Sequence, residues 1–498
     1  MDDATRTDSG DQRRGACGAC TPPWPTPVAC AVVALMFCGM VATHVLGLED
    51  IVTKAAYSAL FQFTLVYAIT RMCKARQQTT QNDTGYERLS SDIDERVVDV
   101  ADNDAREEEE DACEQPVQRP RQLYLDVCKA ALTALVVLHH CTCVFANNSW
   151  YVLLPSKSSI LAKVTNSVLA INQSFFMSCF FFISGLNTWS SLRRKGAAAF
   201  LSDRFWRIGL PLLVFSMAVS PACQTFVEVA IARRPRPGPY QANPGVCWYL
   251  FWLLLFSTSA SLFDSARFHS SAPPPSTNLR IYVGAGAILG FVQIFQLVFL
   301  TGGSFFSMPL TIGSLTMDVP FFCLACVAGN HDGWIDSFVE RIRMRRATIH
   351  LANVALASFC VISIALLDLK SLWGSVFSIA IGVQCVTMSM GVLDLSRAVA
   401  DLLGDDSAWL KFFASHAYAV YLVHTPVINA TVLAVAPLIE WWQGSALAWS
   451  TQGVVSANIT DANVAAVAYV IVVVVAQAGS WSFAWFFRTY VPYVRHII

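Results

Sequence analysis

Long apolar segments separated by short polar ones dominate the chain from residue 121 onward. Most have about 20 residues, the length that a helix needs to cross the hydrocarbon core of a bilayer. We predict ten membrane-spanning helices, at residues 123–145, 168–190, 208–231, 246–264, 280–300, 315–330, 348–367, 372–392, 412–437 and 465–487. The predicted fold class is an all-α integral membrane bundle of about ten helices.

The residues before this block divide into three segments of different composition. Residues 1–27 are polar and proline-rich, which predicts a disordered tail. Residues 28–72 hold two further apolar runs and predict an extra transmembrane hairpin of two helices. Residues 73–120 are acidic and poor in aromatic residues, which predicts a disordered linker. The membrane domain then occupies residues 121–498.

The overall composition excludes a water-soluble enzyme. Hydrophobic residues make up 55% of the 498 positions and charged residues only 14%, whereas soluble domains carry about 25% charged residues. The net charge of -1 hides a division, because residues 81–114 contain 14 acidic and three arginine side chains. The lipid bilayer is therefore the expected environment, and we expect no nucleic-acid partner.

The basic loops predict the orientation of the block in its membrane. Short cytoplasmic loops carry an excess of Lys and Arg, and the segments 191–207 and 331–347 contain five and four of them. With both on the cytoplasmic side, that side holds 15 Lys and Arg against six on the other. We therefore expect a multi-pass membrane protein with both termini in the cytoplasm, in an endomembrane or the plasma membrane.

Ionisable side chains stand out in the first span of the block. Lys129 and His140 are 11 residues apart, which places them on one helix face with about 16 Å between them along the axis. Ionisable groups inside spans are costly and mark function by default. Snorkelling of Lys129 and a structural hydrogen bond of His140 are the alternatives. We predict no metal site, because most of the 16 cysteines lie in apolar runs and the two C-x-x-C pairs lack partner pairs.

Four stretches of the block resemble the acyltransferase 3 family of multi-spanning membrane enzymes. In the first, His140 takes the place of the family's motif histidine, and Lys129 stands where that motif has arginine. The others are Phe180–Gly185 with Phe200–Pro211, then Trp248–Leu250, then His416–Pro426. The resemblance covers about residues 121–490 and leaves out the predicted hairpin and linker.

The resemblance implies acyl-CoA as co-substrate and a sugar or other small molecule as acceptor. His140 would be the catalytic residue, either as the base that deprotonates a hydroxyl group or as the acceptor of the acyl group. The donor's phosphates would bind basic side chains at the cytoplasmic end, namely Lys129, Arg193, Arg194, Arg204 and Arg207. Ordinary positive-inside charge is the alternative for any one arginine.

Three further ionisable residues lie within predicted spans. Glu228 is near the outer end of the third and Asp318 is in the sixth, where either could orient His140 or bind acceptor hydroxyls. Both could equally be interfacial carboxylates. His424, one turn after Tyr421, is a second candidate for the reaction cavity, with a structural helix histidine as the alternative.

We therefore predict an O-acyltransferase that moves an acyl group, with acetyl as our expectation, from cytoplasmic acyl-CoA to a hydroxyl group. A carbohydrate on the opposite side of the membrane is the expected acceptor. A multi-pass transporter is one alternative, although the halves of the block show no sequence repeat of the kind many transporters have. A catalytically inactive relative acting as a scaffold is the other.

Overall fold

The computed structural model describes residues 122–146, 148, 150–233, 240, 242–262, 274–299, 303–305, 308–310, 312–366, 372–404, 407–450 and 454–491. The tail, hairpin and acidic linker predicted for residues 1–120 lie outside the described residues.

Eleven helices make up most of the described chain. They are α1 (Leu123–Phe145), α2 (Ser159–Leu186), α3 (Thr188–Ile231), α4 (Trp248–Leu262), α5 (Leu279–Phe299), α6 (Ile312–Ala328), α7 (Trp334–Arg343), α8 (Arg346–Leu366), α9 (Leu372–Leu403), α10 (Ala408–Gln443) and α11 (Ala462–Tyr490). The strands among these residues are β1 (Val152–Leu153), β2 (Gly303–Phe305), β3 (Met308–Leu310) and β4 (Val455–Ser456).

Each of the ten predicted spans corresponds to one helix, and α7 is the additional helix. Among the described residues, seven helices are long and apolar enough to cross a membrane, while the apolar parts of α4, α5 and α6 are shorter. Helices satisfy their own backbone groups, which lipid cannot do. The all-α membrane class predicted from the sequence is therefore confirmed.

Two helices begin before the apolar runs that reveal them. α2 begins at Ser159, nine residues before the predicted span, and the Ser158 hydroxyl accepts a hydrogen bond from the Leu161 amide at 3.4 Å. α10 begins in the same way after Ser407. Serine caps satisfy amide groups that have no partner within a helix, so a cap sets the start of each helix while hydropathy marks only its apolar part.

The loop predicted at 331–347 contains the amphipathic helix α7. Its buried face consists of Trp334, Ile335, Phe338, Val339 and Ile342. Apolar side chains at this helical spacing form one stripe, while the basic residues that drew attention to the segment lie mostly on the other side. α7 therefore covers the adjacent ends of the membrane helices, and we call this the basic end of the bundle.

The third helix continues through the predicted basic loop with one kink. Only Gly196 leaves helical geometry, with φ of 73°, and it kinks the helix among the basic residues. Three π-helical turns follow, at Phe205–Gly209, Phe215–Val219 and Val227–Ile231. Turns of this kind are frequent at functional sites, and the first and last of these carry Arg207 and Glu228.

Glycines allow two helix pairs to approach closely. On α5, a Cβ at Gly286 would lie 2.6 Å from the Gly382 carbonyl oxygen of α9, and one at Gly290 would lie 2.5 Å from the Ser378 carbonyl oxygen. On α2, a Cβ at Gly185 would lie 2.7 Å from the Phe322 carbonyl oxygen of α6. Small residues at membrane helix contacts permit this backbone approach.

The first helix of the block is central. α1 packs against α2, α9, α10 and α11, and its buried residues lie on all sides of the helix, as expected for an enclosed helix. Beyond its end, β1 pairs in parallel with β4, joining Val152 to Val455 and Leu153 to Ser456. We call this the strand end of the bundle, and it fixes the loop that follows α1.

Candidate active site

Two of the predicted site residues lie side by side in the interior. The ring centroids of His140 on α1 and His424 on α10 are 5.2 Å apart and their planes differ by 17°. His424 is fully buried. His424 Nδ1 bonds the Tyr421 carbonyl oxygen and its Nε2 has no hydrogen-bond partner in the described chain, so the two rings are not hydrogen-bonded to each other. Both histidines are therefore left to act on a third group.

The residues flanking His424 determine which of its nitrogens carries the proton. Its Nδ1 lies 2.7 Å from the Tyr421 carbonyl oxygen, which can only accept a hydrogen bond, so Nδ1 is the donor. In the neutral ring, Nε2 then keeps its lone pair. Nε2 is buried and has no hydrogen-bond partner among the described residues. This atom has the free lone pair that a base requires.

An indole from the loop after α1 covers one face of His140. The ring centroids of Trp150 and His140 are 4.6 Å apart, with an interplanar angle of 25°. Trp150 is 7% exposed and lies two residues before β1, whose pairing with β4 fixes the loop. Trp150 also lies near His424, with ring centroids 6.5 Å apart, so the three rings form one cluster. Trp150 carried no signal in the sequence, because its contact depends on how the loop folds back.

A tyrosine next to Trp150 connects the loop to α3. The Tyr151 hydroxyl lies 2.6 Å from the Ser220 Oγ, and burial raises the pKa of Tyr151. A tyrosine that stays neutral is a hydrogen-bond donor and acceptor rather than an anion. This contact holds the loop against the part of α3 that also packs on α10.

The predicted carboxylates are both buried, with different partners. Glu228 accepts a hydrogen bond from Gln224 Nε2 at 2.8 Å and lies on the part of α3 that contacts α10. Asp318 accepts a hydrogen bond from the Ser178 hydroxyl at 2.6 Å, where α6 packs on α2. Glu228 is therefore on an element packed against the helix of His424, while the contact of Asp318 is in another helix pair.

Lys129 lies on the same helix as His140 but does not join the histidines. Its Nζ is 3.2 Å from Asp126 Oδ1, one turn earlier, and its side chain is 40% exposed. The 11-residue separation leaves about 16 Å between Lys129 and His140 along the axis. The lysine thus belongs to the basic end and could meet only a distant part of a long substrate.

The predicted arginines occupy different environments at the basic end. Arg193 and Arg194 are exposed. Arg207 pairs with Asp203 at 3.1 Å. The guanidinium carbon of Arg204 lies 5.0 Å from the Phe200 ring centroid, and its Nε is buried without a hydrogen-bond partner in the described chain. Because buried polar groups are normally hydrogen-bonded, the Nε of Arg204 is a buried donor left available for an anion.

Aromatic side chains connect the arginine region to the histidines along α10. The Tyr418 hydroxyl donates to the Arg207 carbonyl oxygen at 2.5 Å. Tyr418 and Tyr421 are stacked with centroids 6.5 Å apart, and the Tyr421 ring is 6.0 Å from that of His424. Six residues of helix separate Tyr418 from His424, which is about 9 Å.

One further group of potential ligands lies at the histidine pair. Atoms of His139, His140 and Cys143 that can bind a metal lie within 4.8 Å of one another. No metal site was predicted here, because the search for paired C-x-x-C motifs passes over a His-His-x-x-Cys sequence. His140 follows His139 by one residue and Cys143 follows it by four. This spacing was the signal available in the sequence, since it places all three residues on one side of a helix.

Comparison with known proteins identifies one family. The family model described as an acyltransferase domain matches residues 122–485, which include both histidines and every predicted site residue. No curated protein and no solved structure matches the chain.

Proposed function

Since the chain belongs to the acyltransferase 3 family, we propose that it is an O-acyltransferase that transfers an acyl group from acyl-CoA to a hydroxyl group. The family match confirms the resemblance noted in the sequence and supports an acyltransferase over a transporter. An acetyl donor in the cytoplasm and a carbohydrate acceptor on the opposite side of the membrane are parts of the proposal.

The adjacent pair of His140 and His424 is the observation that carries the proposal. Acyl transfer to a hydroxyl group needs a base within reach of the hydroxyl proton. A buried imidazole with a free lone pair meets this need, and His424 Nε2 is such an atom. His140 lies next to it, at the position of the family's motif histidine.

The reaction then balances without a further cofactor. An imidazole nitrogen accepts the hydroxyl proton while the acceptor oxygen forms a bond to the acyl carbon. The bond between that carbon and the CoA sulfur breaks, and the sulfur takes up the proton, so that the products are an ester and the CoA thiol. Acylation of His140 followed by transfer to the hydroxyl gives the same products in two steps.

The basic end is the proposed position of the CoA phosphates. Phosphate oxygens accept charge-assisted hydrogen bonds from guanidinium groups, and the unpartnered Nε of Arg204 offers one. Arg193, Arg194, Arg207 and Lys129 supply further positive charge at the same end. The uncharged arm of CoA would follow the Tyr418 and Tyr421 side of α10 toward the histidines.

Three variants of the purified protein test this function. We expect His140→Ala and His424→Ala to fold but to release at least about 100-fold less CoA thiol from acetyl-CoA, the range typical of losing a general base. His416→Ala is the matched control, because His416 is on the same helix but its ring lies against Phe412 rather than His140. Full activity of folded His140→Ala protein would refute the proposal.

The acceptor is identified in cells. Mass spectrometry of glycans and lipids should show acylated species that disappear when the protein is removed and return with the wild-type chain. Return of the same species with His140→Ala would contradict a catalytic role for His140. A wild-type protein that neither consumes acetyl-CoA nor changes any glycan or lipid would favour the inactive scaffold.

A further inference from the structure

We propose that His139, His140 and Cys143 form a binding site for a zinc-type divalent cation, and that a bound cation blocks acyl transfer by occupying His140. The inhibitory part of this inference rests on the proposed function, whereas the binding part does not. The site lies in the last two turns of α1, next to the loop that carries Trp150.

Helix geometry brings the three side chains to one side of α1. Cys143 follows His139 by four residues and His140 by three, and side chains at both spacings are neighbours on a helix surface. Their potential ligand atoms lie within 4.8 Å of one another. A tetrahedral zinc ion, with bonds of about 2.0 to 2.3 Å, requires ligand atoms about 3.3 to 3.8 Å apart. Side-chain rotations that move these atoms by about 1 Å therefore complete the site.

Two of the ligand side chains have a polar atom with no other use. His139 Nδ1 and His140 Nδ1 are both buried and have no hydrogen-bond partner in the described part of the chain. Buried polar atoms normally have partners, so a bound cation would satisfy atoms that otherwise lack one. His139 and Cys143 are 7% and 4% exposed, so the surrounding helices shield a bound ion from bulk water.

The ligand set determines which cation fits. Imidazole and thiolate ligands favour zinc and related transition metals, while magnesium and calcium prefer oxygen ligands. Three protein ligands also leave a fourth position for water or a hydroxyl group. Binding requires that the Cys143 thiol lose its proton to solvent, so zinc affinity should rise with pH.

Occupation of the site changes what His140 can do. A nitrogen that coordinates zinc has no lone pair left for a proton or an acyl group. The cation also adds positive charge beside His424, which disfavours the protonated imidazole that a base must become. Zinc should therefore lower acyl transfer as it binds, without displacing acyl-CoA from the arginines at the basic end.

A pair of cysteine variants on the same helix tests the site. Cys143→Ser removes a ligand, and Cys141→Ser is the matched control, because Cys141 is also buried but its sulfur faces the Val472 carbonyl oxygen of α11. Protein without a histidine tag is dialysed against ZnCl2, and bound zinc is measured by mass spectrometry. Cobalt in place of zinc reports a thiolate ligand through its sulfur-to-metal charge-transfer absorption.

We expect one zinc per wild-type and Cys141→Ser chain, and at least about tenfold weaker binding by Cys143→Ser. Equal binding by wild type and Cys143→Ser, or no binding by the wild type, would overturn the site. Acyl transfer is then measured with and without zinc, each protein relative to its own zinc-free rate. Zinc that binds at Cys143 without lowering transfer overturns the inhibitory part. Loss of zinc inhibition in Cys143→Ser alone supports it.

Discussion

Trp150 should control the activity of His140 through its position alone. The indole stacks on His140 at 4.6 Å and the loop that carries it is fixed by the pairing of β1 with β4. Trp150→Ala removes the surface against which one face of the imidazole rests, so the ring can rotate away from its position beside His424. Trp150→Phe keeps an aromatic ring at the same place.

The size of the effect follows from the contact. A stacked aromatic pair contributes about 0.5 to 1.5 kcal/mol beyond simple burial. If that energy only holds His140 in its reactive orientation, its loss lowers kcat by about two- to twelvefold, since 1.36 kcal/mol corresponds to tenfold. Loss of the buried ring also costs about 3 to 5 kcal/mol of folding stability, which must be separated from the kinetic effect.

The assay therefore measures kcat and thermal unfolding of the same detergent-purified protein. We expect Trp150→Ala to lower both, and Trp150→Phe to keep kcat within about twofold of wild type. Rates are divided by the amount of folded protein, which size-exclusion chromatography measures. All rates are taken at a temperature below the unfolding transitions of the wild type and the variants. A folded Trp150→Ala protein with the wild-type kcat would refute a positioning role for the indole.

Three other predictions concern packing, orientation and the basic end. Gly382→Val should lower the unfolding temperature by several degrees, because a Cβ there collides with the Gly286 carbonyl oxygen. A Cβ at Gly284 meets no atom within 4 Å, so Gly284→Ala should leave the unfolding temperature unchanged. Asn458 is exposed and lies in the sequon Asn458-Ile459-Thr460, so it should carry a glycan in eukaryotic cells. The glycan would be seen as a gel shift that an endoglycosidase and the variant Asn458→Gln both remove. A wild-type protein without this shift contradicts the predicted orientation. Asp394→Ala should destabilise the protein by about 1.5 to 3 kcal/mol, the range for hydrogen bonds to charged groups, because the buried carboxylate pairs with Arg346 and His350 at 3.3 and 3.0 Å; unfolding unchanged in denaturant would contradict this.

The apolar runs were sufficient to predict the fold class, because lipid leaves few alternatives for a spanning segment. Each run long enough to cross the bilayer must form a helix, and each predicted span has its helix in the structure. The ends of the helices were harder to predict than the fold class, because a cap such as Ser158 acts through one hydrogen bond outside the apolar run. The amphipathic helix α7 was missed because its five apolar residues alternate with charges and lower the average hydropathy.

The site was predictable to the extent that its residues lie on helices with recognisable motifs. His140 and His424 were both predicted, although 284 positions separate them, because each lies in a stretch that resembles the family. Their contact itself could not be deduced, since it depends on α10 packing against α1. Trp150 was beyond prediction for the same reason, because a loop residue reaches His140 only through the strand pairing at Val152.

The distance between the basic end and the histidines would let one site bind the proposed, highly charged donor inside a membrane. Burying phosphate charges among apolar side chains is strongly unfavourable, so the proposed donor must keep its phosphates near Arg204 and Lys129. About 16 Å of α1 then separates those charges from His140, and only an uncharged arm can enter that region at low cost. The rings of Tyr418 and Tyr421, stacked toward His424, provide an apolar surface for such an arm. A small anionic acyl phosphate would have no such arm, so the same arrangement favours a thioester on a long carrier as the donor.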